Sequence, residues 1–242
     1  MQKRVHRKQH NRFMKKNALI FGCGSKFGSA LRLELENLGV SVYGVSGSIE
    51  TNQVLKVNWD TCFINDFEKF LRSLPSLDLV IFNQNSTTLT DDYWQLNSVD
   101  ILNIWKQSKR WLQSYYVNCI LPVHVLHTLT STNILAPDSH IVWMLSRSMF
   151  NKHPGPVYYY GQKYQNYIDM QQFAKNNPQT FICVCPGKLN SNVYQSKSHQ
   201  LVNLLTQHNS NSVQFFAFDQ NNGTYKLYEE IQPQNPNPNT PV

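Results

Sequence analysis

Along most of the chain, short apolar runs alternate with stretches whose apolar residues recur every three or four positions. Ala18 to Phe21 is such a run. A glycine-rich turn follows, then Ala30, Leu31, Leu33, Leu35 and Leu38 at helical spacing, which Gly39 stops. Val40 to Val45 predicts a second strand, Val54 to Val57 a third, and Phe63 to Leu71 a helix. Leu77 to Phe82 is an apolar run of the kind a buried parallel strand requires. Residues 92 to 130 read as largely helical and rich in aromatics, with a break before the last long helix. His140 to Leu145, Thr180 to Cys185 and Val213 to Phe218 predict further strands, the last closing the series. Tyr158 to Ala174 and Ser198 to Gln207 predict helices. Repeated strand–helix units imply an α/β fold: a doubly wound parallel sheet in three α/β/α layers with right-handed crossovers, as a single domain. Ligands of such sheets bind beyond the carboxyl ends of the strands, so the residues just after each strand are the candidates for chemistry.

Composition supports a folded body. The chain has 242 residues, 41% hydrophobic and 12% aromatic, enough for a sizeable core. Its net charge of +7 is uneven. Residues 1–16 carry Lys3, Arg4, Arg7, Lys8, Arg12, Lys15 and Lys16 and no acid, and the fifteen basic residues beyond them equal the fifteen acidic ones. The basic character therefore belongs to an arm over 1–16, expected to be disordered. A nucleic-acid partner rests on this arm alone. The folded domain is expected over 17–230, with a disordered Pro/Asn-rich tail over 231–242. No apolar run reaches the length of a membrane span, and the N-terminus lacks the apolar centre of a secretory signal, so no membrane partner and a cytoplasmic location are expected. Cys23, Cys62, Cys119, Cys183 and Cys185 follow no disulfide or zinc spacing and read as small buried hydrophobes. His124 and His127 have no acidic or thiol ligand nearby in sequence, and no metal site is expected.

The turn Phe21-Gly22-Cys23-Gly24-Ser25-Lys26-Phe27-Gly28 follows a strand and opens a helix. Glycines let a backbone approach a pyrophosphate, and a helix N-terminus offers free N–H groups and the positive end of its dipole. Tyr159 and Lys163 lie four apart, on one face of a helix. An ammonium beside a phenol favours phenolate, so the tyrosine can exchange protons nearer neutrality. Ser146 follows the strand ending at Leu145, Asn118 lies in the long helix before it, Asn83 follows Phe82, and Pro186-Gly187 ends the next strand.

In these motifs the chain resembles the short-chain dehydrogenase/reductase family over roughly residues 17–230. Gly22 and Gly28 match its glycine turn, and Asn83 part of its N-N-A-G stretch. Asn118, Ser146 and the pair Tyr159 and Lys163 match its Asn-Ser-Tyr-Lys set, and Pro186, Gly187 and Ser191 its P-G-x-x-x-T. The resemblance implies a Rossmann-like fold and an NAD(P)-dependent oxidoreductase of the carbonyl reductase or alcohol dehydrogenase type. Tyr159 would be the proton donor, Ser146 the hydrogen-bond partner of the substrate oxygen, Lys163 the holder of the nicotinamide ribose and Asn118 the holder of a relay water. Gly22, Gly24, Ser25, Lys26, Phe27, Gly28, Ser46, Asn58, Asn83, Tyr159, Lys163, Pro186, Gly187, Leu189 and Ser191 would line the cofactor, with Arg147 and Phe150 toward a small carbonyl or hydroxyl substrate. The second strand ends without an acid, so a 2′-phosphate meets no repulsion, and Ser46, Ser48 and Lys26 are placed to meet it; NADP is the preferred cofactor and NAD the alternative. A homodimer or homotetramer, built on the helices of Asn118 and Tyr159, is the expected assembly. Two departures from the family, Lys26 for its middle glycine and Gln84-Asn85 for its Ala-Gly, leave a second reading open: a nucleotide-binding regulatory or interaction protein with little or no turnover.

Overall fold

A strand covered on both faces has no wet side, so it reads as one continuous apolar run. Strand β1 (Asn17–Phe21) is of this kind, and Ala18, Leu19, Ile20 and Phe21 are fully buried. The structure is a computed structural model that describes residues 16–57, 64–84, 101–146, 157–186, 193–207, 213–219 and 223–227. After β1 come α1 (Lys26–Asn37), β2 (Ser41–Ser46), β3 (Val54–Lys56), α2 (Ile64–Arg72) and β4 (Leu77–Phe82). Next are α3 (Ile101–Tyr115), a π-helical turn (Tyr116–Ile120), α4 (Leu121–Ser131) and β5 (Leu135–Met144). The chain continues through α5 (Val157–Lys175), β6 (Thr180–Cys185), α6 (Tyr194–Gln207), β7 (Gln214–Asp219) and β8 (Thr224–Leu227).

The eight strands form one sheet in the order β3-β2-β1-β4-β5-β6-β7-β8. All pair in parallel except β7 with β8, which run antiparallel. The chain first winds outward from β1 to β3, then returns to β4 on the other side of β1. The topological switch therefore lies between β1 and β4. Register aligns the carboxyl ends there: Phe21 sits beside Phe82, and Phe82 beside Trp143. The three rings pack in a row, with centroids 5.2 and 5.1 Å apart.

Alternate residues of each strand feed two cores. Phe21, Val80, Phe82 and Trp143 face the side that carries Leu71 of α2, Leu129 of α4 and Met170 of α5. Ile20, Ile81, Val142 and Ile182 face Leu31 and Leu35 of α1 and Leu201 and Leu205 of α6. The sheet thus has a helical layer on each face, as the alternation predicts. Among the described residues no helix is long and apolar enough to cross a membrane.

The structure differs from the sequence reading in five places. No break precedes the last long helix: α3 passes into α4 through the π-helical turn, which carries Asn118. β5 starts at Leu135, five residues earlier than expected, because residues 136–139 bulge between the partners of Leu77 and Leu79. Pro137 lies in that bulge, where a missing N–H breaks no ladder bond. Helix α6 begins four residues early, at Tyr194. The strand read as the last, β7, is followed by β8, a mostly exposed strand too short for a period to show. Lys16, assigned to the basic arm, is tied to the sheet: its carbonyl accepts from the Ser41 amide at 2.9 Å and its ammonium lies 3.8 Å from Asp78 Oδ1.

Candidate cofactor-binding and active site

The first turn is shaped by crowding. Gly22 has φ +73°, in the left-handed region that costs glycine nothing. A Cβ there would meet the Gln84 Cα and amide nitrogen at 3.0 Å. A Cβ on Gly28 would run into the Gly22 carbonyl oxygen and come within 2.9 Å of Asn83 Nδ2. Ser25 caps α1, its hydroxyl accepting from the Gly28 amide at 3.0 Å. Asn83, arriving from the end of β4, donates through Nδ2 to the Gly22 carbonyl at 3.2 Å and to Ser25 Oγ at 3.0 Å. One carboxamide therefore pins both ends of the turn. Lys26, the first residue of α1, is exposed, whereas Phe27 is buried in the core. The opening amides of a helix have no intrahelical acceptor, and with the dipole they make this turn fit for a pyrophosphate.

Gly24 gives room to the end of β2. A Cβ on it would collide with the Ser46 hydroxyl. Ser46 is 1% exposed, and its Oγ accepts from the amides of Ser48 and Ile49 at 3.0 and 3.2 Å. It shapes the loop after β2, while the exposed Ser48 carries a hydroxyl 3.3 Å away.

The second half of the site joins the end of β5 to α5. Lys163 is 4% exposed, and its Nζ donates to the Met144 carbonyl at 3.1 Å, two residues before Ser146. Burial pushes the Lys163 ammonium down to about 8. Tyr159 lies one turn earlier on α5. Asn118 is buried in the π-helical turn, and its Nδ2 donates to Gln162 Oε1 at 2.8 Å and to Ser114 Oγ at 3.2 Å. Single π-helical turns are concentrated at functional sites. Pro186, after β6, accepts through its carbonyl from Lys197 Nζ at 2.7 Å, and that ammonium stands 4.5 Å from the centre of the Phe218 ring.

The structure thus gathers Gly22, Ser25, Gly28 and Asn83 in one cluster, and Asn118 in a second with Ser114 and Gln162, the residue before Lys163. Gln84 joins the two, its Nε2 donating to the Val117 carbonyl at 3.4 Å. Asn58, Arg147, Phe150, Gly187, Leu189 and Ser191 lie outside the described residues, as does the side chain of Tyr159. Sequence reasoning gave no role to Ser114, Gln162 or Lys197, and saw in Gln84 only a departure. Their roles rest on partners distant along the chain, and no local motif marks them.

No family model and no curated protein matches the sequence. Solved structures do match the fold. A short-chain dehydrogenase/reductase from Serratia marcescens is similar at 14% identity, over 85% of this chain and 97% of that one, with a TM-score of 0.60. The protein BdcA in complex with NADPH is similar at 12% identity, over 85% and 94%, with a TM-score of 0.65. A short-chain dehydrogenase/reductase from Burkholderia phymatum in complex with NAD is similar at 16% identity, over 73% and 67%, with a TM-score of 0.56. The strand order, the switch between β1 and β4 and these likenesses agree: the chain has the fold of the short-chain dehydrogenases/reductases.

Proposed function

We propose that this protein is an NAD(P)-dependent oxidoreductase of the short-chain dehydrogenase/reductase type, acting on a small carbonyl or hydroxyl compound. The observation that carries the reading is Lys163: a buried ammonium held at the carboxyl end of β5 by the Met144 carbonyl, on the helix that also carries Tyr159 in its sequence. Soluble proteins seldom bury a lysine side chain, and groups whose titration burial has moved cluster at functional sites.

Gly22, Gly24, Ser25, Lys26, Phe27 and Gly28 would hold the dinucleotide at the switch point, with Asn83 fixing their turn. Ser46, Asn58, Pro186, Gly187, Leu189 and Ser191 would complete its groove. When bound, the nicotinamide supplies the hydride chemistry. Tyr159 delivers a proton to the substrate oxygen, and Ser146 hydrogen-bonds that oxygen. Lys163 favours the phenolate form of Tyr159 and binds the nicotinamide ribose. Asn118 would hold the relay that returns the proton, and Arg147 and Phe150 would contact the substrate. NADP is preferred over NAD, because β2 ends without an acid and Ser48 and Lys26 are exposed beside Gly24. The partner is a second copy of the chain.

Nicotinamide fluorescence on titration with NADPH and NADH, followed by a carbonyl panel, tests the reading. Tight binding of at least one cofactor is expected, with turnover that Tyr159→Phe reduces about a thousandfold or more. Absence of binding by both would end it. A second reading, a nucleotide-binding module without turnover, is favoured by Lys26 and Gln84. Cofactor binding that no carbonyl converts to turnover would select it.

A further inference from the structure

The π-helical turn is a change of register in a long helix. The Leu121 amide donates to the Tyr116 carbonyl, five residues back. The next carbonyl in that register, Val117, would take its bond from residue 122, which is proline and has no N–H. Gln84 fills the gap, its Nε2 donating to the Val117 carbonyl at 3.4 Å from the other side of the switch point. On the opposite flank, Gln162 Oε1 accepts from Asn118 Nδ2 at 2.8 Å and from Ser114 Oγ at 3.3 Å. The Gln162 carbonyl also accepts from Cys119 Sγ at 3.7 Å. Three consecutive residues of the turn are each held by a glutamine. Gln84 directly follows Asn83, and Gln162 directly precedes Lys163.

We propose that Gln84 and Gln162 are positioning residues, a pair of carboxamides that clamp the turn bearing Asn118 and fix it relative to Lys163. The inference rests on the functional reading of Asn118 and Lys163 given above. Packing alone would be better served by apolar side chains. Gln84 Oε1 and Gln162 Nε2 are buried without a partner among the described residues, a cost that leucine or methionine would avoid. The clamp links the glycine turn, through Asn83 and Gln84, to Asn118, and through Gln162 to Lys163.

The test compares the full chain with its Gln162→Leu and Gln162→Glu forms, since glutamate keeps the acceptor oxygen that Asn118 and Ser114 use. In Gln162→Leu, deuterium exchange across residues 114–120 should quicken about tenfold or more while NADPH affinity stays within about threefold. The Lys163 titration, followed by NMR of lysine labelled at Cε, should rise from about 8 toward 10.5 as water enters. With a carbonyl that is turned over, kcat should fall about tenfold with KM held, and Gln162→Glu should recover it. Unchanged exchange and an unchanged Lys163 midpoint in Gln162→Leu would overturn the proposal, as would a glutamate form no better than the leucine form. If no carbonyl is turned over, the functional reading fails separately, and exchange with the Lys163 midpoint decides the clamp. Should Gln162→Leu not fold, Gln84→Met probes it from the other flank, with the same two outcomes.

Discussion

Lys163 burdens the fold that holds it. Burial moves its ammonium from 10.5 to about 8, so between those values the unfolded chain binds more protons than the folded one. Stability then rises with pH across that window. The penalty is in force at neutral pH, at about 3 kcal/mol, and is gone above 10.5. A Lys163→Met form should therefore resist urea better than the parent at pH 7, with an advantage that closes from pH 8 to 10.5. A gap that does not change with pH would show that Lys163 is not the group involved. Asn118, Ser146 and Lys163 could be named as candidates from the sequence, through the motifs that resemble those of the short-chain dehydrogenase/reductase family. Gln84 and Gln162 could not, because their partners lie 33 and 44 residues away. No period or spacing carries that information.

Elements were legible where one physical demand dominates. Leu77–Phe82 and Thr180–Cys185 were placed to the residue, because strands enclosed on both faces must be apolar throughout. The π-helical turn was hidden, since it depends on a donor missing at Pro122 and one supplied from β4. β8 was hidden because four mostly exposed residues show no period. The first turn makes a prediction of its own. A methyl group on Gly28 strikes the backbone of Gly22 and Cys23, which cannot move without displacing Asn83 and the cap. A methyl on Gly24 strikes side-chain hydroxyls rather than backbone, those of Ser46 and Ser48. Gly28→Ala should lose about 3 kcal/mol in urea melts and Gly24→Ala about 1. Equal losses would show that the turn yields as a unit.

For the whole molecule, five of the seven exposed large hydrophobics among the described residues lie on α3, the π-helical turn and α5: Trp111, Leu112, Tyr115, Ile120 and Tyr164. Trp111 and Tyr115 stack at 5.5 Å, presenting a flat aromatic face. Exposed apolar side chains of this kind are a candidate interaction surface, and a second copy is the occupant expected here. Light scattering should find a dimer or larger assembly, and Leu112→Asp, at a position 59% exposed, should shift it toward monomer without lowering the melting temperature. A parent that is monomeric at micromolar concentration would end that expectation. The order of the strands bears on how the chain is made. From β4 to β8 every new strand is added to the same advancing margin of the sheet. A chain leaving the ribosome therefore presents an unpaired, apolar border at each stage, a template for any neighbour. Among the described residues the series ends at β8, which reverses direction, spans four residues and carries an exposed Lys226. Until residues 224–227 are made, β7 lacks the strand that pairs its outer edge.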